Sequence, residues 1–443
     1  MSAKGMLLPI VLATVVILAG GAIPSSAARV SSGSLGPSLA TAAAPVGPEF
    51  QISTPLSPFD PNRDFPAIAY NYVHNEYLVL WYNRWTGNLD IYAQRVSDSG
   101  QLVGPWFAVS YGAGNRFNPS VAYNATNDEY LVVWSLEVAT NVYEVWGRRI
   151  KWNGADMGLS QYAEFKIFSL AGRSFMVPRV AYNSYRNEYL VVWNAYDTAT
   201  LLNTAVACRR VLADGSMPAP GVLVSTVGEP GEVDIVYNVA LDGYMVVWTR
   251  DGGTTGYDIY GAFLDRYGAK ITPPGEFAVN SYLSDQTTPA VTTNEQDHYM
   301  VVWQHFDDSY TPGDWDIYGQ LLQANGSTVA GPFVVANTAH DEKRPDVAAN
   351  GANQEYLTVW QRDTDSQRIV TARLRNSDGS LESPADISSV HVVYAWPVVA
   401  CDIPGFLIAY HKALDGSATE HIYGRKWLPE EVYVPLALKK HTE

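Results

Sequence analysis

A phrase of about sixteen residues recurs down this chain, and its cleanest copy runs from Pro178 to Trp193: Pro-Arg-Val-Ala-Tyr-Asn-Ser-Tyr-Arg-Asn-Glu-Tyr-Leu-Val-Val-Trp. Further copies span Pro66 to Trp81, Pro119 to Trp134, Val233 to Trp248, Pro289 to Trp303 and Pro345 to Trp360, with a decayed seventh from Pro397 to Tyr410. In each copy two short apolar runs, such as Val180 to Tyr182 and Tyr189 to Trp193, flank a polar stretch, here Asn183 to Glu188. The runs are rich in β-branched and aromatic residues and the connector in turn formers, which predicts two antiparallel strands joined by a hairpin. A strand wet on one face would alternate, yet the second run is apolar throughout, so neighbouring sheets are expected on both of its faces. The spacing of about 50 to 60 residues is longer than the common helical repeats and suits a four-stranded propeller blade.

The remaining parts of a blade follow each copy. In the first repeat a third strand is predicted from Asp90 to Val96, a turn at Ser97 to Gly100 and a fourth strand from Trp106 to Ser110. Gly154, Gly215, Gly268, Gly326 and Gly379 mark the matching turns, where a residue tolerant of positive φ is needed. The last repeat has a first, a second and a third strand (His421 to Lys426) but no evident fourth. The stretch Phe50 to Thr54 matches the fourth strands Phe107 to Ser110, Phe277 to Asn280 and Phe333 to Ala336. The expectation is an all-β, seven-bladed β-propeller with four antiparallel strands per blade. The N-terminal strand completes the last blade, which removes the open sheet edges.

The array fills the chain without a linker, so one closed domain is expected over residues 49–436, followed by a short tail, 437–443. Lys4, an apolar stretch from Met6 to about Ile23 and the small residues Ser26-Ala27-Ala28 have the order of a secretory signal over residues 1–28. Left uncleaved, that segment would be the one contact with a membrane. Residues 29–48, made of Ser, Ala, Gly and Pro with almost no charge, read as a flexible leader. A net charge of −16 argues against nucleic acid as partner, because neutralising phosphates takes an excess of Lys and Arg. The two cysteines, Cys208 and Cys401, fall in repeats that are not neighbours in a ring of seven; a bridge is not expected, and both read as small buried hydrophobes.

Asp-Ile-Tyr-Gly-Gln-Leu (Asp316 to Leu321) and Asn-Glu-Tyr-Leu-Val-Val-Trp (Asn187 to Trp193) resemble repeats of secreted bacterial β-propeller proteins, many of them surface proteins without an assigned activity. The ending Val432-Tyr433-Val434-Pro435-Leu436-Ala437-Leu438-Lys439 is similar to a C-terminal signature of exported Chloroflexi proteins. The first resemblance covers nearly the whole mature chain. It implies a fold and an exported location, and no function, because propellers host enzymes, lectins and docking platforms alike.

Candidate site residues follow from the fold. Loops leading into the first strands and loops joining second to third strands share one face, and they vary most between repeats. On that face Arg63, Arg116 and Arg173 precede the first three repeats, whereas Glu229, Glu232 and Asp285 precede the next two. Trp85, Tyr196 and Trp315 stand in the long second-to-third connections. An arginine cluster could hold a carboxylate or acidic sugar by forked hydrogen bonds, with Trp85 as stacking platform; alternatively each Arg pairs locally. Asp307, Asp308, Asp314, Asp316, Asp363 and Asp365 lie on adjacent loops, and together they are candidates for a Ca²⁺ ion, which takes six to eight oxygen ligands. The alternative is a solvated acidic rim, since no Asp-x-Asp-x-Asp-Gly loop is present. The recurring hairpin residues Asn71, Asn75, Glu76 and their counterparts are read as turn chemistry.

No nucleophile elbow, His-Glu-x-x-His or sialidase Asp-box occurs, and nothing in the sequence singles out a carboxylate pair. No catalytic residue and no cofactor other than Ca²⁺ is therefore assigned. The leading expectation is a secreted or cell-surface propeller that binds a glycan or a protein. A hydrolase or lyase acting on extracellular polysaccharide, and a structural subunit of an envelope layer, are the alternatives.

Overall fold

The computed structural model describes residues 44–53, 63–84, 87–155, 159–200, 202–308, 313–364, 368–389, 395–402, 405–413 and 420–428. The chain divides into two units, 1–41 and 42–443; the expected signal segment belongs to the first and lies outside the described residues. The described residues of the second are all-β apart from single turns of 3₁₀-helix at Ser160–Tyr162 and Gly253–Thr255.

The described residues form seven antiparallel four-stranded sheets. Blades 1 to 6 cover residues 63–110, 116–168, 173–225, 230–280, 286–336 and 342–386, and blade 7 combines 398–428 with the N-terminal strand Ala44–Gln51. The first strand of each blade touches the first strand of the next, and blade 7 returns to blade 1. These strands therefore wall a central channel.

Closure is as the repeat count predicts, and it reaches further upstream. Phe50 pairs with Gly424 and Gln51 with Tyr423, and the Ile52 amide donates to the Ile422 carbonyl at 2.7 Å. Past a bulge the strand continues through Val46, Pro45 and Ala44, opposite Lys426, Trp427 and Leu428. Residues 44–48, expected in the leader, are thus strand, because an unpaired edge of blade 7 is available to them. Gly424 admits this strand: a Cβ there would come within 2.8 Å of the Phe50 ring. Glu49 locks the closure. It accepts bonds from Tyr410 Oη, from Ser389 N at 2.9 Å and Oγ, and from Lys412 Nζ at 2.7 Å.

The second strands form the blade cores. Every residue of Glu76–Asn83 and of Phe406–Ala413 is buried, and Trp81, Trp134, Trp193, Trp248, Trp303 and Trp360 are each at most 1% exposed. Their indole N–H groups have no acceptor, so these rings serve packing. A cation on the third strand, or in blade 4 just after the turn that follows it, ties each of five blades to its predecessor. Arg148, Arg209, Lys270, Arg373 and Arg425 each donate, at 2.7 Å, to the carbonyl of Val109, Ile167, Val224, Val335 or Ile387 respectively. Cys208 is buried and both cysteines are free.

Candidate functional site

The first strands begin several residues before the repeated phrase, and a bulge interrupts them just ahead of it. At the bulge the residue before the repeat proline takes a positive φ: 51° at Phe65, 51° at Asn118, 53° at Val177, 55° at Thr288 and 58° at Arg344. Non-glycine residues avoid this region, at a cost of roughly 1–3 kcal/mol each. The bulges bring these residues, together with those following the proline, to the wall of the channel, whose cavity of about 520 Å³ is lined by all seven blades.

The lining has two halves. Blades 7, 1 and 2 contribute Trp396, Val398, Phe65, Ile68 and Val121, with Asn118 and Ser120, and no charged side chain, while all the charged ones, Arg179, Glu232, Asp234, Arg344 and Asp346, come from blades 3, 4 and 6, beside apolar Met176, Val180 and Val233. Trp396 and Phe65 contact at 4.2 Å between centroids, and the aromatic run continues through Tyr82 and Phe117 to Tyr143. The Arg344 guanidinium lies 3.8 Å from the Trp396 ring centroid and donates to Gln361 Oε1 at 3.2 Å.

Two aspartates also finish the channel wall. Asp234 Oδ2 accepts the Val291 amide of blade 5 at 2.9 Å, and Asp346 Oδ2 accepts the Val399 amide of blade 7 at 2.8 Å. Ser120 does the same for the Val180 amide of blade 3, at 3.3 Å. Each satisfies a strand-edge N–H that has no neighbouring strand. Burial raises the pKa of Asp234, against the pull of Arg179, whose Nε lies 4.0 Å from Oδ1. Burial, reinforced by the charge of Asp234, pushes Asp346 up to about 7 despite the two backbone amides it accepts.

Among the described residues, those expected to bind ligand on the face of the entry loops do not form one cluster. Arg63 opens the first strand of blade 1, opposite Asn83, and Trp85 lies outside the described residues. Arg116 is 3% exposed and turns inward. It donates to Ser110 Oγ at 2.6 Å, to the Gly112 and Gly114 carbonyls at 3.1 and 2.7 Å, and faces Asp90 at 3.5 Å. Gln286 holds the same place ahead of blade 5, donating to Tyr282 and Ser284 carbonyls at 2.9 and 2.6 Å. Arg116 thus organises its loop rather than awaiting a ligand. Arg173 reaches Thr204 Oγ1 at 3.2 Å and Asp197 at 3.4 Å. Tyr196 is half-buried, with its phenol toward Asn194 and Asn203. The Trp315 ring packs on Phe306 at 5.3 Å, and its amide donates to Asp341. These three are occupied locally.

Of the acidic residues, Asp307, Asp314 and Asp316 stay close enough to feel one another's charge, whereas Asp363 is taken up by cations. Asp363 is bound by Arg368 at 3.1 Å and lies 3.8 Å from Lys343, Asp308 is exposed, and Asp307 pairs across the hairpin with Asp314. Asp316 is 1% exposed; Oδ2 accepts Asn337 Nδ2 at 3.1 Å, whereas Oδ1 meets no donor. Among the described residues no three His, Cys, Asp or Glu side chains are placed to hold a metal ion together. Asp365 lies outside them. Burial, with the charges of Asp314, Glu342 and Asp307, pushes Asp316 up to about 7. The hairpin residues are turn chemistry, as read: Asn75, Asp128 and Asn187 take positive φ, and Glu76, Glu129 and Glu188 hold Arg95, Arg149 and Arg210 at 2.6–2.7 Å.

No protein-family model matches the chain, and no curated protein matches it. Solved structures resemble it at low identity. An α-L-arabinanase from Penicillium chrysogenum is 11% identical, with 86% of this chain and 98% of that one covered at a TM-score of 0.49. The β-propeller domain of the Trilobed protease from Pyrococcus furiosus is 8% identical over 86% and 98%, at 0.48. The polysaccharide lyase Uly1 is 10% identical over 82% and 90%, also at 0.48.

Proposed function

We propose that this protein is a secreted propeller that binds carbohydrate at the leading end of its central channel. The observation that carries this reading is the division of the lining into an aromatic half, Phe65 and Trp396, and a polar half, Arg179, Glu232, Asp234 and Asp346. A sugar ring is itself two-sided, with C–H faces that rest on aromatic rings and hydroxyl edges that need hydrogen-bonding partners. Secretion rests on the apolar segment at the N-terminus.

A glycan array probed with the purified chain tests the reading. Binding should fall by about tenfold or more, ~1.4 kcal/mol, in Trp396→Ala and in Asp234→Asn, with melting followed in parallel. Array binding that survives both substitutions would place the ligand elsewhere. The raised pKa of Asp346 beside Asp234 favours a second reading, cleavage of the bound glycan with Asp346 as proton donor. Release of a new reducing or unsaturated sugar end, abolished in Asp346→Asn, distinguishes cleavage from binding alone.

A further inference from the structure

The carbohydrate reading leaves open which sugar the channel selects, and the charge balance of its wall bears on that. Three carboxyl groups line it, those of Glu232, Asp234 and Asp346, against the guanidinium groups of Arg179 and Arg344. The two cations are unequally available to them. Arg344 is drawn to the Trp396 face and to Gln361, and Arg179 stands 4.0 Å from Asp234. Asp346 takes its hydrogen bonds from backbone amides alone, Val347 at 2.9 Å and Val399 at 2.8 Å. Glu232 is exposed to the channel and takes the Thr249 hydroxyl at 3.2 Å. The polar half of the wall therefore holds three carboxyl groups against two guanidinium groups, and burial, with the charge of Asp234 adding, raises Asp346 to about 7, so that an ammonium group brought beside it would favour its ionised form.

An anionic sugar such as a uronate would enter against this field. A neutral sugar would leave the surplus uncompensated. A sugar that carries a cation on its polar edge meets both halves: its C–H face rests on Phe65 and Trp396, and its charge faces the carboxylates.

Resting on the carbohydrate reading, we propose that the channel selects hexosamines with a free ammonium group, held toward Glu232, Asp234 and Asp346. Glu232 supplies the solvent-facing carboxylate that meets the ammonium first. Selection against the N-acetylated sugar follows, because acetylation removes the charge and keeps the ring.

Isothermal titration of the full chain with the β-1,4-linked trimers of glucosamine, N-acetylglucosamine and glucose tests this. The glucosamine trimer should bind about tenfold or more tightly than the other two, and should weaken several-fold between roughly 20 and 200 mM salt as the field is screened. Glu232→Gln, a change at an exposed side chain, should remove most of that preference with melting unchanged, and Asp234→Asn should reduce it further. Equal or tighter binding of the neutral trimers overturns the ammonium assignment and leaves the carbohydrate reading standing. Binding of no trimer, together with a silent glycan array, removes both. Glucosamine binding that is unaltered in both variants shows attraction to the acidic surface at large, and overturns the assignment as well.

Discussion

Glu342 stands at a position where the repeat can be read against itself. The same place, the first residue of an innermost strand, is Arg116 in blade 2 and Gln286 in blade 5. In blade 2 the arginine faces Asp90, the residue that opens the third strand of blade 1. In blade 6 the residue is a glutamate, 0% exposed, and it faces Asp316, the counterpart of Asp90. A cation–carboxylate seam in one part of the ring is thus a carboxyl–carboxyl seam in another. Burial raises the pKa of both groups, and in Asp316 the charges of Asp314 and then of Glu342 add to the rise. Asp316 at about 7 lies above an unfolded value near 4. The stability it contributes is fully present below that unfolded value, and is lost as the pH rises toward and through 7.

Glu342→Gln removes one of the two charges, and Gln286 shows that glutamine fits the place and bonds its loop. Two like charges one side chain apart at an effective dielectric near 20 repel by roughly 2 kcal/mol. At pH 8.5, where both would be ionised, the variant should melt roughly 2 to 4 °C higher than the parent. At pH 5 Asp316 holds its proton and the difference should nearly vanish. Thermal melts by circular dichroism at the two pH values are sufficient. An equal shift at both would refute the electrostatic account in favour of packing, and a lower midpoint at pH 8.5 would show that the bonds Glu342 accepts from Thr338 outweigh the repulsion.

Glu49 gives the opposite pH dependence: burial alone raises its pKa, but Lys412, Ser389 and Tyr410 outweigh it and leave the group below its ordinary value. Its contribution is present above about 4.3 and is lost as the pH falls through the folded value. Protection of the Ala44–Gln51 amides against exchange, taken relative to the intrinsic rate at each pH, should therefore fall in acid, and Glu49→Gln should show low protection at neutral pH; identical protection in both proteins would dismiss the lock. Trp193→Ala should cost about 3–5 kcal/mol in chemical denaturation, as a large truncation in a packed core, with unchanged stability the contrary result. Arg116→Met should destabilise by about 3–5 kcal/mol, because it removes the cation that faces the buried Asp90 carboxylate and the donor that binds the Gly112 and Gly114 carbonyls. If it instead lost ligand and kept its melting temperature, Arg116 would belong to a binding site after all.

The local repeat determined the strands, the hairpins, the number of blades and the way the ring closes. Strand and turn preferences act over a few residues, and copies such as Pro178 to Trp193 repeat them in register. The missing fourth strand of the last repeat and the orphan stretch at Phe50 were two halves of one feature, legible because edges require partners. The role of the buried tryptophans was legible for the same kind of reason, since an apolar run without alternation implies cover on both sides.

The channel was not legible. Its wall takes three or four residues from each blade, among them Arg179, Asp234 and Asp346, which occupy a single variable position of the repeat. Their convergence depends on the ring and on bulges at residues such as Val177 and Thr288, whose φ values no propensity favours. Local pairing was one of the two readings open for Arg116, and its partner could not be named because Asp90, the acid that faces it, lies 26 residues away in another blade. The aspartates were grouped by sequence proximity, yet strand pairing and the cations Lys343 and Arg368 set their surroundings. Secondary structure is encoded locally and can be read from one blade, whereas charge balance and site geometry arise only where seven blades meet.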